Sequence, residues 1–384
     1  MTNEGIKVGL DMARLCRSVL LEKKLKPDYL EQLDLDKLLR VCEYHCLTAM
    51  VCMALEYNGI TPDAKWTQAK SKAIRKNMLL DAERAQITAF LEQEHIWYMP
   101  LKGSLLKDFY PRAGMRQMSD NDILFDASKR KIVMQFMKSR GYHLKGDNGA
   151  HCDEWLKEPV YNFEMHLNLF TPNQDSSGYF TDVKERLIRV SRNGYMYRFT
   201  DEDFYIYMTA HAFKHLHVGG TGLRTLIDFY IFLNAKEKSL NWSYIQGELQ
   251  RIAMYEETDI LESEKLLRQT AKHYFSDTIS LSDEEKDLIR TMINAGTYGN
   301  LGNWIGRTSG ILNAHSKSQY LLRRVFPNKK WWNAYYPKTE TYPFLIPIYF
   351  FYRFYRLLTV RRKNVMRELG VFKKMRGEEF AQNE

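Results

Sequence analysis

The sequence comprises 384 residues, of which 45% are hydrophobic and 13% aromatic, and its formal net charge is +9. This composition is too apolar for a disordered chain, and the length allows more than one hydrophobic core. No run of about 18 uncharged apolar residues occurs, which argues against a single-span membrane protein.

The first ninety residues have the apolar spacing of α-helices. Apolar side chains recur three or four positions apart between residues 30 and 55, as on one face of a helix. Asn58 and Gly59 end that run, because both tolerate a left-handed backbone. A further helix is predicted over residues 77–94, and we expect residues 1–76 to form an N-terminal helical region.

Short strands and helices alternate from residue 96 onwards. Three short apolar segments are predicted as strands, at residues 96–101, 122–125 and 142–144. Two helices are predicted between them, at residues 105–110 and 128–140. Asp126 is the expected N-cap of the second helix, and Gly141 is expected to follow its end.

Residues 161–170 form the clearest predicted strand. Tyr161, Phe163 and Met165 alternate with Asn162, Glu164 and His166. Successive side chains of a strand point to opposite faces, so one face is expected to pack on a core and the other to be polar. Solvation of an edge strand is the simpler explanation for the polar face.

Helices dominate again after a turn-rich loop at residues 173–178. They are predicted over residues 204–217, 223–233, 261–274 and 282–293, the first behind a capping box at Thr200. The expected class is therefore α+β. The expected domains are residues 1–76, an α/β core at 77–175, a helical domain at 176–316 and a basic, aromatic-rich, helical tail at 317–384.

The positive charge is concentrated in that tail. Residues 317–384 contain 15 Lys and Arg and 5 Asp and Glu, a net charge of +10, so the rest of the chain sums to −1. Such a segment could bind RNA, an anionic membrane surface or a polyphosphate. A helix with a solvated basic face is the simpler interpretation.

The five cysteines are Cys16, Cys42, Cys46, Cys52 and Cys152, and none belongs to a Cys-x-x-Cys pair. Free thiols in a reducing compartment fit this odd number best. The N-terminal residues also lack a basic segment followed by an apolar one. We therefore expect a cytoplasmic protein.

The turn at Lys102-Gly103-Ser104 is the first candidate binding feature. It lies between a predicted strand and a predicted helix. Glycine allows close approach of the backbone to an oxyanion, and the first turn of a helix offers free N–H groups to phosphate. Many turns contain Gly-Ser without any such function.

Asp120 and Asp122 are the second candidate feature. Their spacing places both carboxylates on one face of the predicted strand, where a divalent cation would offset their repulsion. If the strand with Glu164 lies beside them, three carboxylates converge, as a site for two Mg²⁺ ions requires. A solvated acidic turn is the alternative.

These motifs resemble the uncharacterised bacterial nucleotidyltransferase family, within the superfamily that has the DNA polymerase beta-type fold. The resemblance rests on Pro100-Leu101-Lys102-Gly103-Ser104, Tyr110, Arg116, Asp120-x-Asp122-Ile123-Leu124, the strand Phe163-Glu164-Met165-His166, His211 and Arg224-x-x-x-Asp228. It covers most of residues 30–350. It implies a small mixed sheet with helical regions on either side along the chain.

The resemblance also implies catalytic roles. Asp120 and Asp122 match the metal-binding pair, and Glu164 matches the third acidic residue, which often helps to deprotonate the acceptor hydroxyl. Asp120, Asp122 and Glu164 are therefore the expected catalytic residues and the expected ligands of two Mg²⁺ ions.

The expected nucleotide-binding residues are Lys102, Gly103, Ser104 and Arg116. Gly103 and Ser104 match the turn that holds the β- and γ-phosphates of the NTP. Lys102 and Arg116 are added from their charge and position, as candidate phosphate contacts.

Two departures from the superfamily pattern stand out. Sixteen positions separate Ser104 from Asp120, which is longer than the usual gap. Asn121 lies between the aspartates where an apolar residue is usual. The narrower family tolerates the long gap.

Two pairs on the later helices have simpler interpretations. His211 and His215 share a helix face, but no Glu follows His211, so satisfied core histidines or neighbours of a nucleotide are favoured over zinc ligands. Arg224 and Asp228 are also four apart. They would form an ordinary helix pair, unless Arg224 reaches a phosphate.

The leading hypothesis is a Mg²⁺-dependent nucleotidyltransferase. It would move a nucleoside monophosphate from an NTP, with ATP expected, to an unknown hydroxyl or phosphate acceptor by two-metal in-line displacement. The alternative is a catalytically inactive module of the same fold that binds RNA or a protein partner through its basic tail. A weaker third option is an envelope-biosynthesis enzyme that docks on a membrane through the tail.

Overall fold

The protein is described here by a computed structural model covering residues 3–145, 151–170, 178–256, 258–297, 317–327 and 338–358, with Trp332, Tyr336, Met366 and Gly370 as isolated positions. It divides into two compact units. One comprises Met1–Phe213 and Gly222–Thr297, and the other comprises Lys214–Thr221 and Tyr298–Glu384. The four-domain division expected from the sequence stays a prediction.

Five helices precede the sheet, and the last of them crosses the boundary at residue 76 that was predicted for the N-terminal helical region. They are α1 (Asn3–Leu20), α2 (Pro27–Leu30), α3 (Leu35–His45), α4 (Thr48–Tyr57) and α5 (Ala64–Gln93). The side chains of Asp34 and Asp63 accept backbone hydrogen bonds at the starts of α3 and α5, which satisfies N–H groups that a helix leaves free. The helix predicted over residues 77–94 is the second half of α5.

The central sheet is mixed, as expected for the α+β class. Its five strands are β1 (Tyr98–Pro100), β2 (Asn121–Phe125), β3 (His143–Leu144), β4 (Cys152–Lys157) and β5 (Tyr161–His166), in the order β1-β2-β5-β4-β3. Only β2 and β5 are parallel neighbours among these pairs, and the others are antiparallel. The polar sequence of β4 gave no strand signal, and pairing with β5 stabilises it.

Two helices flank β2 along the chain. They are α6 (Gly103–Leu106) and α7 (Arg130–Ser139). Asp126 accepts from the backbone N–H of Ser128 before α7, and Gly141 follows α7 with φ of 81°. Both residues therefore have the terminal positions expected from the sequence, with the cap at a short 3-10 turn that leads into α7.

One face of the sheet carries the hydrophobic core. Apolar side chains of α5 and α7 pack there against those of the strands, among them Leu80, Ile87, Val133, Met137, Ile123, Phe125, Trp155, Phe163 and Met165. Alternation along the strands places the even-numbered residues of β2 and β5 on the opposite face. The polar face predicted for residues 161–166 is thus the face of the central strand β5 that is turned away from the hydrophobic core.

Helices predominate after the sheet, up to residue 295. After the short pair β6 (Ile188–Arg189) and β7 (Tyr197–Arg198) come α8 (Asp201–Val218), α9 (Leu223–Lys236), α10 (Trp242–Glu256), α11 (Ile260–Tyr274) and α12 (Asp283–Ala295). Thr200 accepts from the N–H of Asp203. In a full capping box the Asp203 carboxylate would also accept from the backbone N–H of Thr200. Instead, it accepts from the hydroxyls of Tyr179 and Tyr244.

Three helices are described in the tail: α13 (Lys317–Val325), α14 (Lys338–Thr341) and α15 (Ile346–Leu358). Much of the predicted tail lies outside the described residues, including Trp331, Tyr335 and residues 359–365. Most of the predicted loop at residues 173–178 also lies outside them. No described helix combines the length and apolar character needed to cross a membrane.

Candidate active site

Two of the predicted catalytic carboxylates lie side by side. Because β2 and β5 are parallel neighbours, Asp122 is in register with Glu164. The Asp122 side chain is 8% exposed, and that of Glu164 is 27% exposed. The sheet thus presents one enclosed carboxylate and one that is more open to an incoming molecule.

Asp120 lies just before β2 and interacts with both of these carboxylates. Its side chain is partly buried. Burial, together with the negative charges of Asp122 and Glu164, raises the pKa of Asp120 to about 6. The three acidic residues therefore form one electrostatic cluster, in which the third negative charge is unfavourable without a counter-charge.

His166 is a fourth member of this cluster that the sequence did not single out as a site residue. Its Nε2 lies 2.9 Å from Oδ1 of Asp122 and 3.4 Å from Oε2 of Glu164. Burial disfavours the charged ring, but the hydrogen bonds to Asp122 and Glu164 raise the pKa of His166. Its place two residues after Glu164 on the polar face was the signal that could have found it.

Lys102 supplies a positive charge to the same face. Its Nζ lies 3.7 Å from Oδ1 of Asp122, a loose ion pair. Burial disfavours ionised carboxylates, yet the charge of Lys102 and the hydrogen bond with His166 hold the pKa of Asp122 below its usual value. Tyr207 of α8 also interacts with Lys102 and Asp122, and the sequence gave no sign of it.

The predicted phosphate turn has an unusual backbone. Lys102 has φ of 42° and ψ of −109°, the conformation of the first central residue of a type II′ turn, which favours glycine. The N–H of Ser104 closes the turn on the carbonyl of Leu101 at 3.3 Å. Keeping a lysine in this conformation costs about 1–3 kcal/mol, and such strain concentrates at functional sites.

Ser104 is directed into the protein. Its side chain is buried, and its hydroxyl donates to the carbonyl of Leu101 at 2.8 Å. The hydroxyl proton is therefore engaged in holding the turn. Lys102 is the residue of the motif that interacts with the carboxylates.

Arg116 lies behind the turn and pairs with an acidic residue of α9. Its Nε and Nη2 each donate to Asp228 at 2.8 Å, and Tyr110 donates to the same carboxylate at 2.6 Å. A Cβ added at Gly103 would lie 2.3 Å from Nη1 of Arg116. The guanidinium thus packs directly against the turn, which explains why residue 103 is glycine.

Arg224 and Asp228 of α9 were predicted to pair with each other, but each has a different partner. The Asp228 carboxylate is engaged by Arg116 and Tyr110, whereas Nη1 of Arg224 donates to the carbonyl of Gln117 at 2.9 Å. Both arginines therefore brace the long segment between the turn and Asp120. Their partners lie more than 100 positions away in the sequence, so helical spacing could not identify them.

The long gap before Asp120 is held by further hydrogen bonds from α5. Asn77 accepts from the N–H of Met118 at 2.9 Å and donates to the carbonyl of Arg116 at 2.8 Å. Lys76 donates to the carbonyl of Ser119 at 2.8 Å. The segment is thus anchored immediately before the aspartates.

Asn121, the second departure from the superfamily pattern, is fully buried and has partners for its side chain. Its amide donates to the carbonyl of Leu80 at 3.1 Å, and its oxygen accepts from Arg84 at 3.1 Å. A polar residue is compatible with this core position because both groups are satisfied. Asn121 therefore ties the start of β2 to α5.

The donor set fits a divalent cation. Ligand atoms of Asp122, Glu164 and His166 all lie within 4.8 Å of one another, and the charge of Asp120 lies close by. Carboxylate oxygens are the ligands that Mg²⁺ prefers, usually with water and substrate phosphates completing the coordination. Of the predicted ligands, Asp122 and Glu164 belong to this set, whereas Asp120 interacts with it electrostatically.

Comparison with known proteins identifies a family. The model of an uncharacterised nucleotidyltransferase family matches residues 31–259, well over half of the chain and all of the site described above. No curated protein and no solved structure matches the chain. The protein belongs to this uncharacterised nucleotidyltransferase family.

Proposed function

We propose that the protein transfers a nucleoside monophosphate from an NTP to a hydroxyl or phosphate group of an acceptor. The family supports nucleotidyl transfer in general. The observation that carries the mechanism is that Asp122 and Glu164 lie side by side on parallel strands. Their negative charges, together with burial, raise the pKa of Asp120. Carboxylates gathered in this way are stabilised by a divalent cation.

The carboxylates would divide two tasks. Bound Mg²⁺ ions would neutralise the triphosphate and lower the pKa of the attacking hydroxyl. Asp120 and Asp122 would hold the ions, and Glu164 would add a ligand to one of them. Glu164 is more exposed than Asp122, so it is the better placed of the two to accept the proton of the acceptor hydroxyl.

The turn would bind the triphosphate. The ammonium of Lys102 is only loosely paired with Asp122, so phosphate oxygens can replace that partner. Gly103 lets the backbone approach the phosphates closely. Arg116 was expected to contact phosphate as well; its bidentate pair with Asp228 favours a supporting role, because a phosphate contact would require it to give up a buried partner.

Label transfer tests the proposal. The protein is incubated with Mg²⁺, fractionated cell extract and, in turn, each NTP labelled at the α-phosphate, beginning with ATP. We expect label in one fraction, and a loss of about 100-fold or more in the Asp120→Asn and Asp122→Asn variants, since each removes a ligand charge. Asp108→Asn changes an exposed aspartate of the same region and should label normally. Normal labelling by folded Asp122→Asn would overturn the mechanism.

The exposed side chains of the tail favour one kind of binding partner for this segment. On α15 and just before it, large apolar and aromatic side chains are exposed, among them Phe344, Ile348, Phe351 and Tyr355. Arg353 of the same helix is buried and donates to the carbonyl of Val325 at 3.0 Å. This described part of the tail offers aromatic surface more than free charge, which favours an anionic membrane surface over RNA.

A further inference from the structure

A second group of side chains that could bind a metal lies next to the carboxylates. It is found where β4 begins and β5 ends. Cys152 of β4 and His166 of β5 are directly opposite each other in the antiparallel register. His151 immediately precedes β4, and its ring lies 5.1 Å from the ring of His166 in an edge-to-face arrangement. The ligand atoms of the three residues all lie within 4.8 Å of one another.

The orientation of His166 is the second observation that points to a ligand. His166 is 3% exposed, and its Nε2 faces Asp122. Its Nδ1 is buried and has no hydrogen-bond partner among the described residues. A buried nitrogen without a partner costs free energy, and a bound ion is one of the few explanations for it.

The hydrogen bond to Asp122 matches the usual surroundings of a metal-bound histidine. A ligating imidazole commonly donates its other N–H to a carboxylate, which fixes the tautomer and makes the ligating nitrogen more basic. With the proton on Nε2, the Nδ1 lone pair of His166 is available to a metal. The acidic cluster and this second group would thus share one histidine, through its two different nitrogens.

We propose that His151, Cys152 and His166 bind a transition-metal ion of the zinc class, separate from the Mg²⁺ site. Thiolate and imidazole ligands select such ions over Mg²⁺. Tetrahedral zinc with ordinary bond lengths would bring the ligand atoms to about 3.5 Å from one another, so closure needs side-chain movements of roughly 1 Å. The Cys152 thiol loses its proton to solvent as the sulfur–metal bond forms.

The proposed ion would act as a positioning element. With Nδ1 bound to metal, His166 remains a donor to Asp122 through Nε2. The ring then holds the Asp122 carboxylate in place beside Glu164. This inference does not depend on the transferase activity, because the ion can be measured without any substrate.

Metal titration of the whole protein tests the site. Chelator-treated protein is titrated with Zn²⁺ and, separately, with Co²⁺, and bound metal and the absorption spectrum are recorded. We expect one tightly bound equivalent, and for Co²⁺ a near-ultraviolet absorption band that arises only from a cobalt–thiolate bond. Cys152→Ser should remove that band and weaken Zn²⁺ binding by about 100-fold or more.

Two controls separate this site from its neighbours. Cys52 is a buried thiol whose Sγ lies 3.9 Å from Glu56, so Cys52→Ser should leave the band unchanged. Glu164→Gln removes an acidic ligand of the Mg²⁺ site and should also keep it. Zinc binding that Glu164→Gln abolishes and Cys152→Ser does not would place the ion at the carboxylates and overturn the proposal.

The titration of unmodified protein decides the matter even if Cys152→Ser does not fold. Wild-type protein that binds no Zn²⁺, or that binds Co²⁺ without the thiolate band, would refute the site. If Asp122→Asn loses nucleotidyl transfer but keeps the cobalt band, metal binding by His151, Cys152 and His166 is independent of the carboxylate site.

Discussion

Gly103 occupies one of the most restricted positions near the site. A Cβ there would lie 2.3 Å from Nη1 of Arg116 and 2.9 Å from Cε of Met118. The end of an arginine side chain can ordinarily move away. Here it is held by two hydrogen bonds to Asp228, so displacing it would also disturb a buried ion pair.

We therefore predict that Gly103→Ala destabilises the protein by about 2–3 kcal/mol and reduces label transfer. Urea unfolding measures the first effect. Gly247→Ala is the matched control, since Gly247 is a helical glycine with nothing within 4 Å of an added Cβ. That substitution should stabilise α10 by up to about 1 kcal/mol. Equal effects of the two changes would contradict the packing argument.

Asp120 should make the metal-free protein sensitive to pH. Burial and the neighbouring charges of Asp122 and Glu164 raise its pKa from 3.8 to about 6. The folded state therefore binds this proton more tightly than the unfolded state does, and stability decreases as the pH rises from about 4 to about 6. Above that range the full cost of the extra charge is present.

This dependence can be isolated by comparing wild type with Asp120→Asn. Chelator-treated samples of both are unfolded with urea between pH 4 and pH 7. We predict that the unfolding free energy of wild type, relative to the variant, falls as the pH rises from about 4 to about 6, and that Mg²⁺ reverses the fall. A pH-independent difference would mean that neither burial nor the neighbouring carboxylates raise the pKa of Asp120.

At the scale of elements, α15 exposes large aromatic side chains. Phe351 is 71% exposed and Tyr355 is 65% exposed, whereas large aromatic residues are normally at least partly covered. An amphipathic helix of this kind can lie in the interface of a membrane with its apolar residues among the acyl chains. The net positive charge of residues 317–384 would add attraction to anionic lipids.

We predict that the protein sediments with vesicles containing anionic lipid, and that the double variant Phe351→Ser, Tyr355→Ser reduces binding by about tenfold or more. Neutral vesicles should bind more weakly. The exposed Met254→Ser of α10 is a control for the loss of an apolar side chain outside the tail. Tight, salt-sensitive RNA binding with no vesicle binding would instead support an RNA-binding tail.

At the scale of the whole molecule, one buried ion pair links the helical region to the strand–turn–helix segment. Asp228 belongs to α9, and Arg116 precedes β2; their side chains are 11% and 8% exposed. Tyr110 donates to the same carboxylate. A buried pair of this kind is costly to break, because the remaining charge is left in a poorly solvated place.

We predict that Asp228→Asn lowers the unfolding free energy by about 3 kcal/mol or more. Label transfer should fall as well, because Arg116 would no longer support Gly103. Asp287→Asn is the comparison: it breaks the exposed pair with Arg290 on α12 and should cost less than about 1 kcal/mol. Similar losses in both variants would show that Arg116 keeps its place without Asp228.

Much of the fold could be predicted from local pattern. Alternation along residues 161–166 separated Phe163 and Met165 from Glu164 and His166, and the structure places the first pair in the core and the second on the opposite face. The spacing of Asp120 and Asp122 gave the first two members of the cluster. These features are local, because the side chains of one strand alternate whatever it packs against.

The sequence alone therefore determined the family resemblance and the α+β class, and it predicted the three carboxylates of the acidic cluster. The tertiary structure decided the partners: Asp228 for Arg116, Asn77 for the segment before Asp120, and Cys152 opposite His166. These partners come together through helix packing and strand pairing, not through spacing along one element. Periodicity reports which face a residue occupies, whereas its neighbour across that face depends on how the whole chain folds.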